Sequence, residues 1–208
     1  AERNGVEMYD VYTGFKWIAN VMRENEGKKN YIGGGEESYG FLCEDFVRDK
    51  DAVSACVILA EIAAWAKDQG LSLYQLLQKI YVEYGFSKEK GISVVKKGKS
   101  GAEEIEAMMK KFRENPLTEI AGSKVTYFYD YSTLKGKDYA ENETVTLDMP
   151  TTSNVLQYFT EDNTKVSIRP SGTEPKIKFY CEVHSKVKSI DELPEAEKAA
   201  EEKINQIK

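Results

Sequence analysis

Lys165-Val166-Ser167-Ile168-Arg169-Pro170-Ser171-Gly172-Thr173-Glu174-Pro175-Lys176-Ile177-Lys178-Phe179-Tyr180-Cys181-Glu182-Val183 alternates in character twice, once on each side of a Pro-Ser-Gly run. Val166 and Ile168 fall on one face before the run, and Ile177, Phe179, Cys181 and Val183 on one face after it. Neighbouring strand residues point to opposite faces, so this reads as two half-buried strands joined by a loop at a sheet edge. Lys176 and Lys178 then share the face turned away from the core.

That loop holds what an anion site needs. Arg169 can fork onto phosphate oxygens, and Ser171 and Thr173 supply hydroxyl donors. Gly172 lets the backbone turn so that successive N–H groups converge. Thr164 to Tyr180 contains four basic residues and one acid, a local +3 in a chain of formal charge −6. Such a reversal suggests a focused anion site. The plain alternative is a hairpin turn with solvated lysines. No Walker-A spacing is present, so a P-loop is not the source.

Outward from this hairpin, Ile92–Lys97, Lys124–Asp130 and Val155–Phe159 read as further strands, and Lys135–Glu143 as polar and turn-rich. Ser100-Gly101-Ala102-Glu103 reads as a capping box opening a helix that runs to about Arg113. Pro194–Lys208 reads as a terminal amphipathic helix. Residues 85–208 are therefore expected to form an α+β domain, an antiparallel sheet with helices on one side. Residues 1–84 read as a separate, partial α/β domain. Val6–Tyr12 alternates as a strand, Phe15–Glu26 has helical spacing, and Asn30–Gly34 and Tyr39–Val47 are short strand candidates. Asp49 or Asp51 can cap a helix over Ala52–Lys67 that is apolar nearly all round and is expected to be deeply buried. Ser72-Leu73-Tyr74-Gln75 is a capping box for a helix closed by Gly85. Ala1–Gly5 reads as the last turn of a helix closed by Gly5, which suggests that opening elements of the domain precede it.

Composition narrows the function classes. The chain has 208 residues, 41% hydrophobic and 31% charged, ample to bury a core. Its net charge of −6 argues against nucleic-acid binding through a basic surface. The longest apolar run, Ala55–Ala60, is far short of the ~20 residues of a membrane span. Cys43, Cys56 and Cys181 are odd in number and each lies in an apolar neighbourhood, which points to buried free thiols and a reducing, cytoplasmic setting. His184 is the only histidine, so multi-histidine metal sites and His-based triads are nearly excluded.

Three further segments could carry chemistry. In Gly33-Gly34-Gly35-Glu36-Glu37-Ser38-Tyr39-Gly40, an extended backbone would project Glu36 and Ser38 to one side, where they could hold two neighbouring sugar hydroxyls. The alternative is a flexible glycine-rich loop. The dinucleotide pattern is incomplete, because Ser38 stands where its last glycine should be. In Arg48-Asp49-Lys50-Asp51, Lys50 could reach an anionic substrate, or the acids could simply cap the following helix. In Tyr12-Thr13-Gly14-Phe15-Lys16, Lys16 is either a ligand or a first-turn surface charge.

Taken together, these segments resemble the α-D-phosphohexomutases. Arg169–Pro175 resembles that family's phosphate-binding loop and Gly35–Gly40 its sugar-binding loop. Thr13–Lys16 and Lys50-Asp51 resemble two more active-site segments in the family's order, and Ile80–Gly85 resembles the phosphoglucomutase/phosphopentomutase branch. The resemblance covers the third and fourth of four domains, the fourth being TATA-binding-protein-like. It implies that Arg169, Ser171, Gly172, Thr173 and Lys178 grip the non-reacting phosphate of a hexose phosphate. Lys178 stands where many relatives carry Arg. Glu36, Ser38 and Lys16 would contact the sugar, and Lys50 would lie near the reacting phosphoryl group.

The phosphoserine stretch Ser-His-Asn-Pro and the Mg²⁺ loop Asp-Gly-Asp-x-Asp do not occur in this chain. The resemblance therefore implies a chain without a metal site or a catalytic nucleophile, inactive alone. Mg²⁺ and glucose 1,6-bisphosphate would serve the full-length enzyme. The implied partners are a hexose phosphate and the N-terminal domains of the same polypeptide, with self-association through surface that lost elements would cover. Rival readings are a phosphopentomutase or sugar-bisphosphate synthase fragment, a non-catalytic phosphosugar-binding module, and an interaction domain in which both loops are incidental.

Overall fold

The structure is a computed structural model that describes every residue except Lys97, Thr173 and Lys208. Contacts within the chain divide it into two compact units, 1–76 and 77–208.

The second unit is built on an antiparallel sheet. Strands β3 (Phe86–Val95), β5 (Ser123–Asp130), β6 (Lys135–Asp138), β7 (Glu143–Thr146), β8 (Leu156–Thr160), β9 (Lys165–Pro170) and β10 (Lys176–Ser185) lie in the order β3-β10-β9-β8-β5-β6-β7, and β4 (Glu119–Ile120) pairs onto β5. The predicted hairpin is β9–β10, with Ile177 opposite Pro170 and Glu182 opposite Lys165. Its alternation buries Val166, Ile168, Ile177, Cys181 and Val183 on one face, with Leu156 and Tyr158 beside them from β8. Helices α4 (Gly98–Glu114) and α5 (Leu193–Ile207) complete this core through Ile105, Met109, Leu193, Ala200 and Ile204. Burying such side chains is the main source of a domain's stability. Lys88 and Lys90 of β3 pair with Glu197 and Glu201 of α5 at 2.9 and 2.7 Å, holding helix to sheet edge.

Two expectations for this unit need correction, and β5 carries an irregularity. A register shift between Val125 and Tyr127 changes the phase of β5, so that Val125, Phe128 and Asp130 all reach the buried side. The polar stretch 135–143 contributes β6 and the start of a β6–β7 hairpin rather than turns alone. Charged side chains there suit strands near the edge of a sheet. Ser100 lies inside α4, which already begins at Gly98, and so does not cap it.

The first unit contains α1 (Phe15–Asn25), β1 (Gly33–Gly35), β2 (Phe41–Cys43) and α2 (Ala52–Asp68). Gly5 ends a short 3₁₀ turn with φ 64°, as expected of a cap. Asp51 caps α2, its carboxylate accepting from Ser54 N at 2.7 Å. Ser72 and Gln75 form the expected reciprocal pair at the start of α3 (Leu73–Tyr84), with bonds of 2.8 and 3.2 Å. Phe15, Met22 and Leu42 form a small core with Ile18 and Tyr31 packed against it.

Val6–Tyr12 is in no sheet, because alternation makes a strand only where another strand supplies hydrogen bonds. The expected deep burial of α2 is also not found. Among its residues only Ala66 is buried, and Val53 is 73% exposed. The physical reason is shortage of cover. The unit's only sheet has two strands of three residues each, far too little surface for a helix of 17 residues that is apolar all round. Cys56, on this helix, is accordingly exposed, while Cys181 is buried and Cys43 intermediate, so the reading of three buried thiols holds fully only for Cys181.

Candidate functional site

In the second unit, the β9–β10 loop is tied by its own backbone. Ser171 N donates to Lys176 O at 2.8 Å, and Lys176 N donates to Glu174 O at 2.7 Å. Glu174 N donates to Ser171 Oγ at 3.3 Å, and Lys96 N donates to Pro175 O at 2.9 Å. Lys176 Nζ meets Glu174 at 2.6 Å, and this bond holds the Glu174 carboxyl below its ordinary value. Lys176 is thus occupied inside the loop, a pairing its spacing from Glu174 did not reveal.

Arg169 and Lys178 are direct cross-strand partners, and the next partner of Lys178, on β3, is Ser93. Opposed residues of an antiparallel pair carry side chains on one face, with Cβ atoms about 5 Å apart. Like charges in that relation are unfavourable unless an anion lies between them. Lys178 Nζ also sits 5.8 Å from the Tyr180 ring centroid. The Tyr180 hydroxyl is buried and has no hydrogen-bond partner among the described residues.

Gly172 does not have the positive φ that would require glycine, so the expected conformational role is absent there. What glycine leaves instead is open space, with nothing within 4 Å of where a Cβ would stand. Thr173 lies outside the described residues. A groove of about 680 Å³ runs behind the loop, between Pro170 and Pro175 and the α4 residues Ile105 and Met109. Arg113 on its wall is committed to Asp130 and Asn154.

In the first unit, Glu36–Gly40 is a turn rather than an extended segment. Glu36 N donates to Gly40 O at 2.8 Å, and Tyr39 takes φ 69°. The premise that strand alternation sets Glu36 beside Ser38 therefore fails, and Ser38 is exposed on the turn. The turn does bring Glu36 to Lys50. Both side chains crowd the space over Gly40, where an added Cβ would lie 2.8 Å from Lys50 Cδ and 3.3 Å from Glu36 Cδ. Lys50 bonds Asp49 at 3.0 Å and lies 5.9 Å from the Phe15 ring centroid. Its ammonium is held above the ordinary lysine value, first by the Asp49 bond and in smaller part by the Glu36 charge. Lys16 Nζ lies over the Trp17 ring at 5.0 Å. The capping alternative for Asp51 is realised, while Lys50 points to the Glu36 turn.

Beside this turn is a cavity of about 520 Å³, bounded by Tyr12, Ile18, Met22, Tyr31 and Glu36. Among the described residues no group of three or more His, Cys, Asp or Glu is placed to hold a metal ion. Among the described residues no helix is long and apolar enough to cross a membrane. Outside the candidate site, His184 pairs with Glu182 at 2.8 Å.

Two family models match this chain. Residues 1–84 match "Phosphoglucomutase/phosphomannomutase, alpha/beta/alpha domain III", and residues 93–200 match "Phosphoglucomutase/phosphomannomutase, C-terminal domain". A phosphoglucomutase of Staphylococcus haemolyticus is 37% identical over 88% of this chain and 33% of its own length. One from Staphylococcus aureus (strain bovine RF122 / ET3-1) is 41% identical over 86% of this chain and 32% of its own length. The chain thus spans about a third of the length of these relatives. Among solved structures, the open form of pp63/parafusin, a phosphoglucomutase from Paramecium, aligns over 90% of this chain and 31% of its own, with TM-score 0.57 and 20% identity, a likeness of fold. This chain belongs to the phosphoglucomutase/phosphomannomutase family, the α-D-phosphohexomutases, and corresponds to the third and C-terminal domains.

Proposed function

We propose that the chain is the substrate-gripping portion of a cytoplasmic phosphoglucomutase or phosphomannomutase. That enzyme interconverts hexose 1-phosphate and hexose 6-phosphate through a phosphoserine and a bisphosphate intermediate. The observation that carries this reading is the opposition of Arg169 and Lys178 across β9 and β10, beside a loop tied at Ser171. A phosphate carries about −1.5 to −2 charge at pH 7 and offsets the repulsion of that pair. Arg169 offers a planar fork and Lys178 a point charge, so one grips two oxygens while the other tolerates rotation. Ser171, Gly172 and Thr173 complete the grip on the non-reacting phosphate. Glu36, Ser38 and Lys16 orient the sugar hydroxyls, and Lys50 lies near the transferring phosphoryl group. Phosphoryl transfer depends on such positioning and charge stabilisation.

The phosphoserine and Mg²⁺ belong to other domains of a longer polypeptide, and glucose 1,6-bisphosphate serves that whole enzyme. The chain by itself is inactive, and it binds neither nucleic acid nor membrane. Its partners are the sugar phosphate and the N-terminal domains, and the exposed apolar side of α2 also lets it associate with itself. A phosphopentomutase fragment shares the phosphate grip and differs in sugar choice.

Calorimetric titration with glucose 6-phosphate tests the reading. Arg169→Ala is expected to weaken binding at least tenfold, the scale of a lost charged hydrogen bond. Equal affinity of Arg169→Ala and the parent chain, or measurable glucose 1-phosphate turnover by the isolated chain, contradicts it.

A further inference from the structure

The geometry points to Gly40 as a positioning residue whose missing side chain is the space in which the Glu36 carboxylate and the Lys50 stem are held together. Gly40 does not have a positive φ, so its backbone tolerates alanine. What opposes a side chain is only what lies above it. An alanine Cβ would fall 2.8 Å from Lys50 Cδ and well inside contact distance of Glu36 Oε2. Both are outer parts of flexible, charged side chains, which can swing away at little cost to the fold.

Gly34 provides the contrast within the same segment. A Cβ there would lie 2.9 Å from Ile18 Cγ2 and 2.6 Å from the Tyr31 hydroxyl. Ile18 and Tyr31 are packed against the small core of Phe15, Met22 and Leu42. Overpacking of that kind costs stability. Two glycines six residues apart thus do different work: Gly34 keeps the core closed, and Gly40 leaves room for the Glu36 carboxylate and the Lys50 stem to meet. The Glu36 N to Gly40 O bond fixes the turn that makes this possible, and Asp49 bonds the Lys50 ammonium at 3.0 Å. The ligand in this inference rests on the hexose-phosphate reading; the placement of Glu36 does not.

The test is Gly40→Ala in the full chain, with Gly34→Ala as the fold control. Gly40→Ala is expected to melt within about 2 °C of the parent, while its Glu36 side-chain carboxyl ¹³C and Lys50 ¹³Cε resonances move. Gly34→Ala is expected to lose stability. With glucose 1,6-bisphosphate as the probe, Gly40→Ala is expected to bind about tenfold more weakly. Adding Glu36→Gln to Gly40→Ala should then cost little more, because both changes remove one interaction. Unmoved Glu36 and Lys50 resonances in Gly40→Ala, or fully additive losses in the double variant, would overturn the inference. Moved resonances in a chain that never binds the bisphosphate would uphold the placement and refute the hexose-phosphate reading instead.

Discussion

The two units use the same apolar residue types with opposite results. In the second, Leu156, Tyr158, Ile177 and Ile204 are each about 0% exposed, sealed between a broad antiparallel sheet and two helices. In the first, α2 carries Val57, Leu59 and Trp65 at 54%, 56% and 55% exposure. Hydrophobicity alone does not bury a helix. Burial needs an opposing surface, and the first unit's two short strands do not supply one. The β9–β10 hairpin stands on the well-packed unit, while Glu36 and the Lys50 stem meet over Gly40 in a turn.

The largest expected difference is in stability. Leu156→Ala should destabilise the second unit by about 2–5 kcal/mol, whereas Leu59→Ala should change stability by no more than about 0.5 kcal/mol. Chemical denaturation of the two variants checks this, and equal costs would break the comparison. Next comes association. Replacing Val57 and Leu59 together by Glu should lower the apparent mass of concentrated samples toward that of a monomer, as read by sedimentation velocity.

A pH effect follows from Tyr158. Its hydroxyl donates to Phe112 O at 3.1 Å, and burial pushes its ionisation well above the ordinary tyrosine range. A group whose folded-state pKa is raised stabilises fully below its unfolded value, about 10, and that contribution disappears as pH rises toward the folded value. Tyr158→Phe should therefore flatten the alkaline loss of stability, at a cost of about 1 kcal/mol at neutral pH for the lost bond. The smallest effect belongs to the first unit. Asp51 is lowered chiefly by the Ser54 backbone bond, so its contribution to α2 is present above the unfolded aspartate pKa and fades as pH falls through the folded one. Asp51→Asn should remove that acid-side change in helix content, read by circular dichroism.

What the sequence makes readable is what depends on neighbours in the chain. The β9–β10 alternation, the Ser72–Gln75 box and the extent of α2 are local patterns, and the structure has them. Burial and pairing depend on distant residues. Val6–Tyr12 alternates but has no pairing strand, and α2 has the composition of a core helix without a core. In the site, Arg169 and Lys178 share a face because the hairpin register sets them opposite, as alternation around a short loop implies. Strand alternation does not set Ser38 beside Glu36, because Tyr39 adopts a left-handed φ and folds the segment into a turn. The part played by Gly40 was unreadable for the same reason, since only the folded turn carries Glu36 back over it.

The proposed grip sets Arg169 and Lys178 on one phosphate. Backbone amide shifts during titration of the chain and of Arg169→Ala with glucose 1,6-bisphosphate test it most directly. Such a grip gives saturable shifts across 169–178 in the parent chain that disappear in Arg169→Ala. Shifts that persist unchanged in the variant, or a parent chain whose 169–178 amides do not respond at millimolar ligand, would contradict it.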